Sequence, residues 1–183
     1  MRLKKKNANA PPCFHCAATA LRETLASNSE TRMPNLKDLM LQKRLTLAVA
    51  ESLTCGHLQA RIGAISGASR FFLGGLTAYT LEEKEKLLGV PRELAEPVDC
   101  VSEAVAVAMT QGARTLFGAN IAIATTGYAE PSPAAPVPYA WIAVGDGSNF
   151  ATRRVDCPGL ARVAVQEHVA KVAGDILVDF LQT

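Results

Sequence analysis

The sequence predicts a three-layer α/β/α sandwich with a mostly parallel sheet and an antiparallel hairpin. Short apolar runs, typical of buried strands, alternate with longer segments that have helical spacing. Gly145–Ser148 joins two strand-like segments and is a hairpin signal. A length of 183 residues with 49% hydrophobic residues is enough for one domain with a sizeable core.

Each predicted strand is a short run that is rich in apolar residues and bounded by turn or capping residues. The strands are expected at Leu45–Ala50, Gly75–Thr80, Ile121–Thr125, Tyr139–Val144 and Phe150–Val155. The last two form the hairpin. The proline-rich segment between residues 130 and 138 predicts an extended loop ahead of it.

Four helices are predicted from capping residues and apolar spacing. Thr80 and Glu83 have the spacing of a capping box at the start of a helix that Gly89 ends. Ser102 is the expected N-cap of a helix that runs to Phe117 and stops at Gly118. One further helix is expected over Thr54–Ala64. The last has apolar residues at spacings of three and four: Val165, Val169, Val172, Ile176 and Phe180.

The first 34 residues differ from the rest of the chain. They are polar and lack a sustained period, so we expect a disordered extension over 1–34 and one domain over 35–183. Cys13, His15 and Cys16 lie in the extension. A structural zinc needs about four ligands and no second pair follows, so no metal site is predicted.

Charge and hydropathy exclude several classes of function. A net charge of +2 gives no argument for binding nucleic acid or an anionic membrane. No apolar run approaches the roughly 18 residues of a membrane span, and the N-terminus lacks the apolar region of a signal peptide. We therefore expect a cytoplasmic protein that binds a small molecule, and a homo-oligomer remains open.

Hydroxyl residues and glycines follow three of the predicted strands. They lie in Ala50–Gly56, at Tyr79–Thr80 and in Thr125–Gly127. Ligands of open α/β sheets bind beyond the carboxyl ends of the strands, and free N–H groups at helix starts suit an anion such as phosphate. Such residues are also common as caps and turns, so each loop alone permits either interpretation.

Ser52 is the candidate nucleophile in the first of these loops, and a serine needs a base to attack a carbonyl. His57 is too near in sequence to guarantee the required geometry. Lys84 is the better candidate because the positive end of the helix that begins after Thr80 would lower its pKa. The alternative is an ordinary solvated lysine.

Four segments, in order, carry a resemblance to a known family: AESLTCG, GGLTAYTLEEKEKLLGV, CVSEAVAVAMTQGAR and TTGYAEP. From about Leu39 onward the chain resembles the C-terminal domain of the CinA competence/damage-inducible proteins, whose stand-alone form is nicotinamide mononucleotide amidase. The resemblance implies an α/β fold and hydrolysis of the carboxamide of nicotinamide mononucleotide, giving nicotinate mononucleotide and ammonia, without metal or cofactor. It implies Ser52 as nucleophile, Lys84 as general base and Tyr79 as a group that orients or relays the proton.

The same resemblance implies a substrate contact at Thr126, and we expect Thr54, Gly56 and Gly127 to join it as substrate-binding residues. Backbone N–H groups near Thr54–Gly56 are the expected oxyanion donors.

The sequence also departs from the family pattern at several positions. Leu53 and Cys55 replace a cysteine and a glycine, the glycine-rich AGPGG segment has become AEPSP with Glu130, and the GDR arginine has no match, although Arg162 lies one place along. These departures support an alternative function, a catalytically inactive paralogue that serves as a nucleotide-binding or regulatory module. A third hypothesis is an amidase whose substrate lacks the phosphate, because Glu130 would repel it.

Overall fold

The structure is a computed structural model that describes residues 32–183. Its strands are β1 (Leu47–Glu51), β2 (Phe72–Thr77), β3 (Ile121–Tyr128), β4 (Tyr139–Gly145) and β5 (Phe150–Asp156). They form one sheet in the order β2-β1-β3-β4-β5. β1 pairs in parallel with β2 and β3, whereas β4 runs antiparallel to β3 and β5. Four strands therefore point the same way, and β4–β5 is the predicted hairpin.

Helices cover both faces of this sheet. Within the described residues they are α1 (Arg32–Lys43), α2 (His57–Gly63), α3 (Leu81–Leu88), α4 (Arg92–Ala95), α5 (Glu103–Phe117) and α6 (Arg162–Gln182). α1, α2 and α6 pack on one face, and α3, α4 and α5 on the other. The predicted three-layer α/β/α sandwich is confirmed. No helix of residues 32–183 combines the length and apolar character that a bilayer crossing requires.

Alternating side chains along β1 explain why the two faces differ. Leu47 and Val49 join the larger core under α1, α2 and α6, whereas Ala48 and Ala50 face α5. Successive strand residues point to opposite faces, so one strand serves both cores. The small alanines on the second face allow α5 to approach the sheet closely.

The local capping predictions are confirmed. The Thr80 hydroxyl accepts a hydrogen bond from the Glu83 N–H, and the Ser102 hydroxyl accepts one from the Val105 N–H. Gly89 and Gly118 end their helices with φ of 63° and 61°, a left-handed conformation that glycine adopts without strain.

Three elements differ from the sequence prediction. β2 is Phe72–Thr77 rather than Gly75–Thr80, because the Ala78 N–H makes the last bond to β1, at the Glu51 carbonyl, and Thr80 already caps α3. α1 and α4 were not predicted: within residues 35–43, α1 buries only Leu36 and Met40, and α4 has four residues. The Cys13–Cys16 segment and the expected disordered extension up to residue 31 lie outside the described residues.

Candidate active site

The carboxyl ends of β1, β2 and β3 meet at one edge of the sheet and border a cavity of about 480 Å³. Ser52 follows β1, Tyr79 follows β2, and Thr126 and Gly127 end β3. Lys84 reaches the cavity from α3. The structure therefore brings five of the seven predicted site residues to one place, at the strand ends where the sequence pattern expected a ligand.

Ser52 and Lys84 are in direct contact in this cavity. Lys84 Nζ lies 3.0 Å from Ser52 Oγ, 2.9 Å from the Ala78 carbonyl oxygen and 3.0 Å from the Tyr79 carbonyl oxygen. Only 1% of Lys84 is exposed, which excludes the solvated lysine that the sequence left open. Burial lowers the pKa of Lys84, against an opposing effect from Cys100 and Asp99.

The three contacts of Lys84 suit an ammonium that donates to all three oxygens, and they equally suit the neutral amine that a base requires. A neutral amine has two hydrogens and one lone pair, and a carbonyl oxygen can only accept. When the carbonyls of Ala78 and Tyr79 take the two hydrogens, the lone pair is left for the Ser52 hydroxyl. The sequence predicted the lowered pKa from the helix end, but the principal cause is burial.

Glu51 fixes the loop that carries Ser52, and sequence reasoning missed this residue. Its carboxylate is fully buried and accepts hydrogen bonds from the N–H groups of Gly56, Leu58 and Gln59 at 2.9–3.1 Å. A carboxylate at the positive end of a helix is favoured. Glu51 lies farther from the start of α2 than an N-cap residue does, so no capping pattern in the sequence revealed it.

Tyr79 contributes to the dyad through its backbone. Its carbonyl holds Lys84, while its phenol oxygen accepts a hydrogen bond of 2.6 Å from Arg162 Nη2. Half of the Tyr79 side chain is exposed. The Tyr79 carbonyl can therefore orient the amine, and a role of the phenol in orienting or relaying the proton stays a prediction.

Thr54 and Gly56 are not brought to the cavity. Thr54 is fully buried and its hydroxyl pairs with that of Thr125 at 2.7 Å, behind the serine loop. The Gly56 N–H is bound to Glu51 and is not free for an oxyanion. We correct the expected role of both residues from contacting substrate to supporting the Ser52 loop. Among the described residues, the Leu53 N–H has no hydrogen-bond partner and remains the candidate oxyanion donor, because Leu53 lines the cavity.

Thr126 and Gly127 form the far wall of the cavity. The Thr126 hydroxyl donates to the Cys100 carbonyl at 2.7 Å, so its oxygen retains lone pairs that can accept from a ligand. That bond steadies a segment in which both Asp99 and Cys100 have positive φ, an unusual conformation for residues other than glycine. Gly127 is required sterically, because a Cβ there would overlap the β4 backbone at Tyr139.

Arg162 and Glu130 meet at the cavity mouth, where the family pattern is altered. Arg162 Nη1 lies 2.9 Å from Glu130 Oε2, and the Arg162 side chain begins in the first turn of α6. The displacement of the arginine by one position from the GDR pattern therefore still leaves its guanidinium at the site. Residues 32–183 contain no group of three or more His, Cys, Asp and Glu side chains arranged to hold a metal.

Fold and site together define an α/β protein with a buried serine–lysine pair at the carboxyl edge of its sheet. The model of the CinA C-terminal domain family matches residues 29–181. The chain belongs to this family, and the resemblance noted in the sequence is confirmed.

Relatives and solved structures agree with this assignment. A putative competence-damage inducible protein of Desulforudis audaxviator is 38% identical over 140 residues, which is 75% of this chain and 34% of that protein. A CinA-like protein of Gemmatimonas aurantiaca is 43% identical over 136 residues, 73% of this chain and 32% of that protein. The chain thus spans about a third of these relatives. A CinA superfamily structure from Klebsiella pneumoniae has a TM-score of 0.78 at 29% identity, covering 84% of this chain and 98% of that chain.

Proposed function

We propose that this chain is a carboxamide hydrolase in which Ser52 is the nucleophile and Lys84 the general base. The observation that carries the proposal is the buried contact of 3.0 Å between Lys84 Nζ and Ser52 Oγ. The family resemblance supplies the first substrate to test, nicotinamide mononucleotide. A small-molecule amide fits a cavity of about 480 Å³.

The geometry supports a two-step reaction. Ser52 Oγ attacks the amide carbon while its proton moves to Lys84 Nζ, which then passes that proton to the amide nitrogen as the C–N bond breaks and ammonia leaves. A water molecule, deprotonated by Lys84, hydrolyses the resulting ester and frees Ser52 with a carboxylate product. The Leu53 N–H is the donor that can stabilise the oxyanion.

Family departures at Leu53 and Cys55 leave this dyad intact. Leu53 packs in the core and its carbonyl accepts from Gln166, whereas the exposed Cys55 does not line the cavity. Neither change displaces Ser52 from Lys84. This supports an active hydrolase over a non-catalytic binding module.

Ammonia release from nicotinamide mononucleotide tests the proposal. We expect Ser52→Ala and Lys84→Ala each to lower kcat by about 10²–10⁴, the usual contribution of such groups. Lys86→Ala is the matched control because Lys86 is exposed on the same helix. Activity should rise with pH through the lowered pKa of Lys84, because only the neutral amine accepts the proton.

Two results would contradict the proposal, the first in its choice of base and the second in its reaction. Turnover that survives Lys84→Ala within threefold would remove Lys84 as the base. Absence of any amide turnover, together with a Tm raised by the nucleotide, would favour the binding module instead.

A further inference from the structure

The charged residues of the cavity are predominantly acidic once the working state of the dyad is considered. Glu96, Asp99 and Glu130 line it, together with the cations Lys84 and Arg162. Lys84 is neutral when it acts as a base. Glu96 also pairs with Arg92 on α4, Glu130 pairs with Arg162, and Asp99 interacts with Lys84 and Tyr128.

Arg162, the remaining cation, is already engaged. Its Nη1 contacts Glu130 Oε2 at 2.9 Å, and its Nη2 donates to the Tyr79 phenol at 2.6 Å. A phosphate recognised by an arginine normally takes both of these donors. A phosphorylated substrate would therefore have to displace the Glu130 carboxylate and then remain beside it.

Three consecutive positions of the loop next to Arg162 offer no backbone donor to a phosphate. Pro131 and Pro133 have no N–H. The N–H of Ser132, which lies between them, donates to the Ala135 carbonyl at 2.9 Å. Residues 131–133 therefore offer no free N–H group to an anion.

We propose that the site selects carboxamides that carry no phosphate, with Glu130 as the residue that sets this selectivity. The proposal rests on the proposed amidase function and specifies its substrate class. A neutral or cationic heterocyclic amide fits the acidic cavity, and nicotinamide riboside is the probe because it differs from nicotinamide mononucleotide only by the phosphate. Specificity of this kind arises from an element that repels the wrong ligand.

Binding to the Ser52→Ala chain tests selectivity separately from turnover. Calorimetry should give a lower Kd for nicotinamide riboside than for nicotinamide mononucleotide, by roughly tenfold for one poorly shielded like charge. In the Ser52→Ala, Glu130→Gln double variant, the Kd for the mononucleotide should fall relative to the Kd for the riboside by roughly three- to tenfold. The change is modest because the Arg162–Glu130 ion pair is exposed. Glu93→Gln, an exposed change outside the cavity, should leave the ratio unchanged.

Ionic strength provides a second readout, because screening weakens charge discrimination but not shape discrimination. Raising the salt concentration should bring the two Kd values closer together. The proposal is overturned if the mononucleotide binds as tightly as the riboside, if neither compound binds, or if Glu130→Gln leaves the ratio unchanged. Failure of the wild-type chain to release ammonia from either compound would instead count against the hydrolase itself.

Discussion

Replacing Glu51 with glutamine tests whether the buried carboxylate anchors the Ser52 loop. One carboxylate oxygen accepts from Gly56 and Leu58, and the other accepts from Gln59. A glutamine side chain keeps the shape of Glu51 and can place its carbonyl oxygen against the first pair. Its NH₂ group then faces the Gln59 N–H, so one hydrogen bond is lost and two donors oppose each other.

The expected loss of stability is about 3 kcal/mol. Hydrogen bonds to a charged group contribute roughly 1.5–3 kcal/mol, against 0.5–1.5 kcal/mol for neutral ones, so one bond is lost and two are weakened. Loss of the negative charge at the start of α2 adds about 0.3–1 kcal/mol, and such contributions are less than additive. Domains are typically stable by about 5–15 kcal/mol, so the variant should still fold, with a Tm lower by roughly 6–12 °C.

Urea denaturation of the two chains measures this difference, and Asp146→Asn is the matched control. Asp146 also accepts three hydrogen bonds, two from backbone N–H groups and one from Asn149 Nδ2, but at the exposed β4–β5 turn. Water can replace those bonds, so the control should lose much less stability. If Glu51→Gln costs no more than Asp146→Asn, burial of the carboxylate is not what holds the loop.

Two further predictions concern the lysine and the tyrosine. The difference in free energy of unfolding between the native chain and Lys84→Met should rise with pH. The rise is expected between the lowered pKa of Lys84 in the folded chain and its ordinary value of 10.5, because in that range the unfolded chain binds more protons than the folded one. Urea titrations at several pH values measure it, and a difference independent of pH would contradict the burial of the amine. Tyr79→Phe should keep kcat within about tenfold, because the Tyr79 carbonyl rather than its phenol holds Lys84. If Tyr79→Phe released ammonia as slowly as Ser52→Ala, the phenol of Tyr79 would have to take part in proton transfer.

Local signals in the sequence were sufficient for helix ends and most strands. Thr80, Gly89, Ser102 and Gly118 act within a few residues of their own positions, so their identities alone indicate where a helix starts or stops. The predicted range of β2 began and ended too late. The two central glycines of the strand have weak strand propensity, whereas Tyr79 and Thr80 have strong propensity but lie in the connection between β2 and α3.

The site required information from distant parts of the chain. A lysine in a first helical turn is usually exposed, and the burial of Lys84 arises only when the loops after β1 and β2 close around it. The anchoring role of Glu51 and the pairing of Arg162 with Glu130 have the same origin. The hydrogen-bond partners of Glu51 lie five to eight positions along the chain, and Glu130 lies 32 positions from Arg162. Both separations are longer than those of capping patterns.

The parallel pairing of β1 with β2 has a consequence for how the chain becomes active. Lys84 binds the Ala78 and Tyr79 carbonyls within its own neighbourhood, whereas Ser52 is 32 positions away across a crossover. Parallel strands close a long loop before they gain any contact, which makes them a late event in folding. Recovery of the proposed amidase activity on refolding would therefore time the closure of the β1–β2 crossover, because without that closure Ser52 does not reach Lys84 and the amine is not buried.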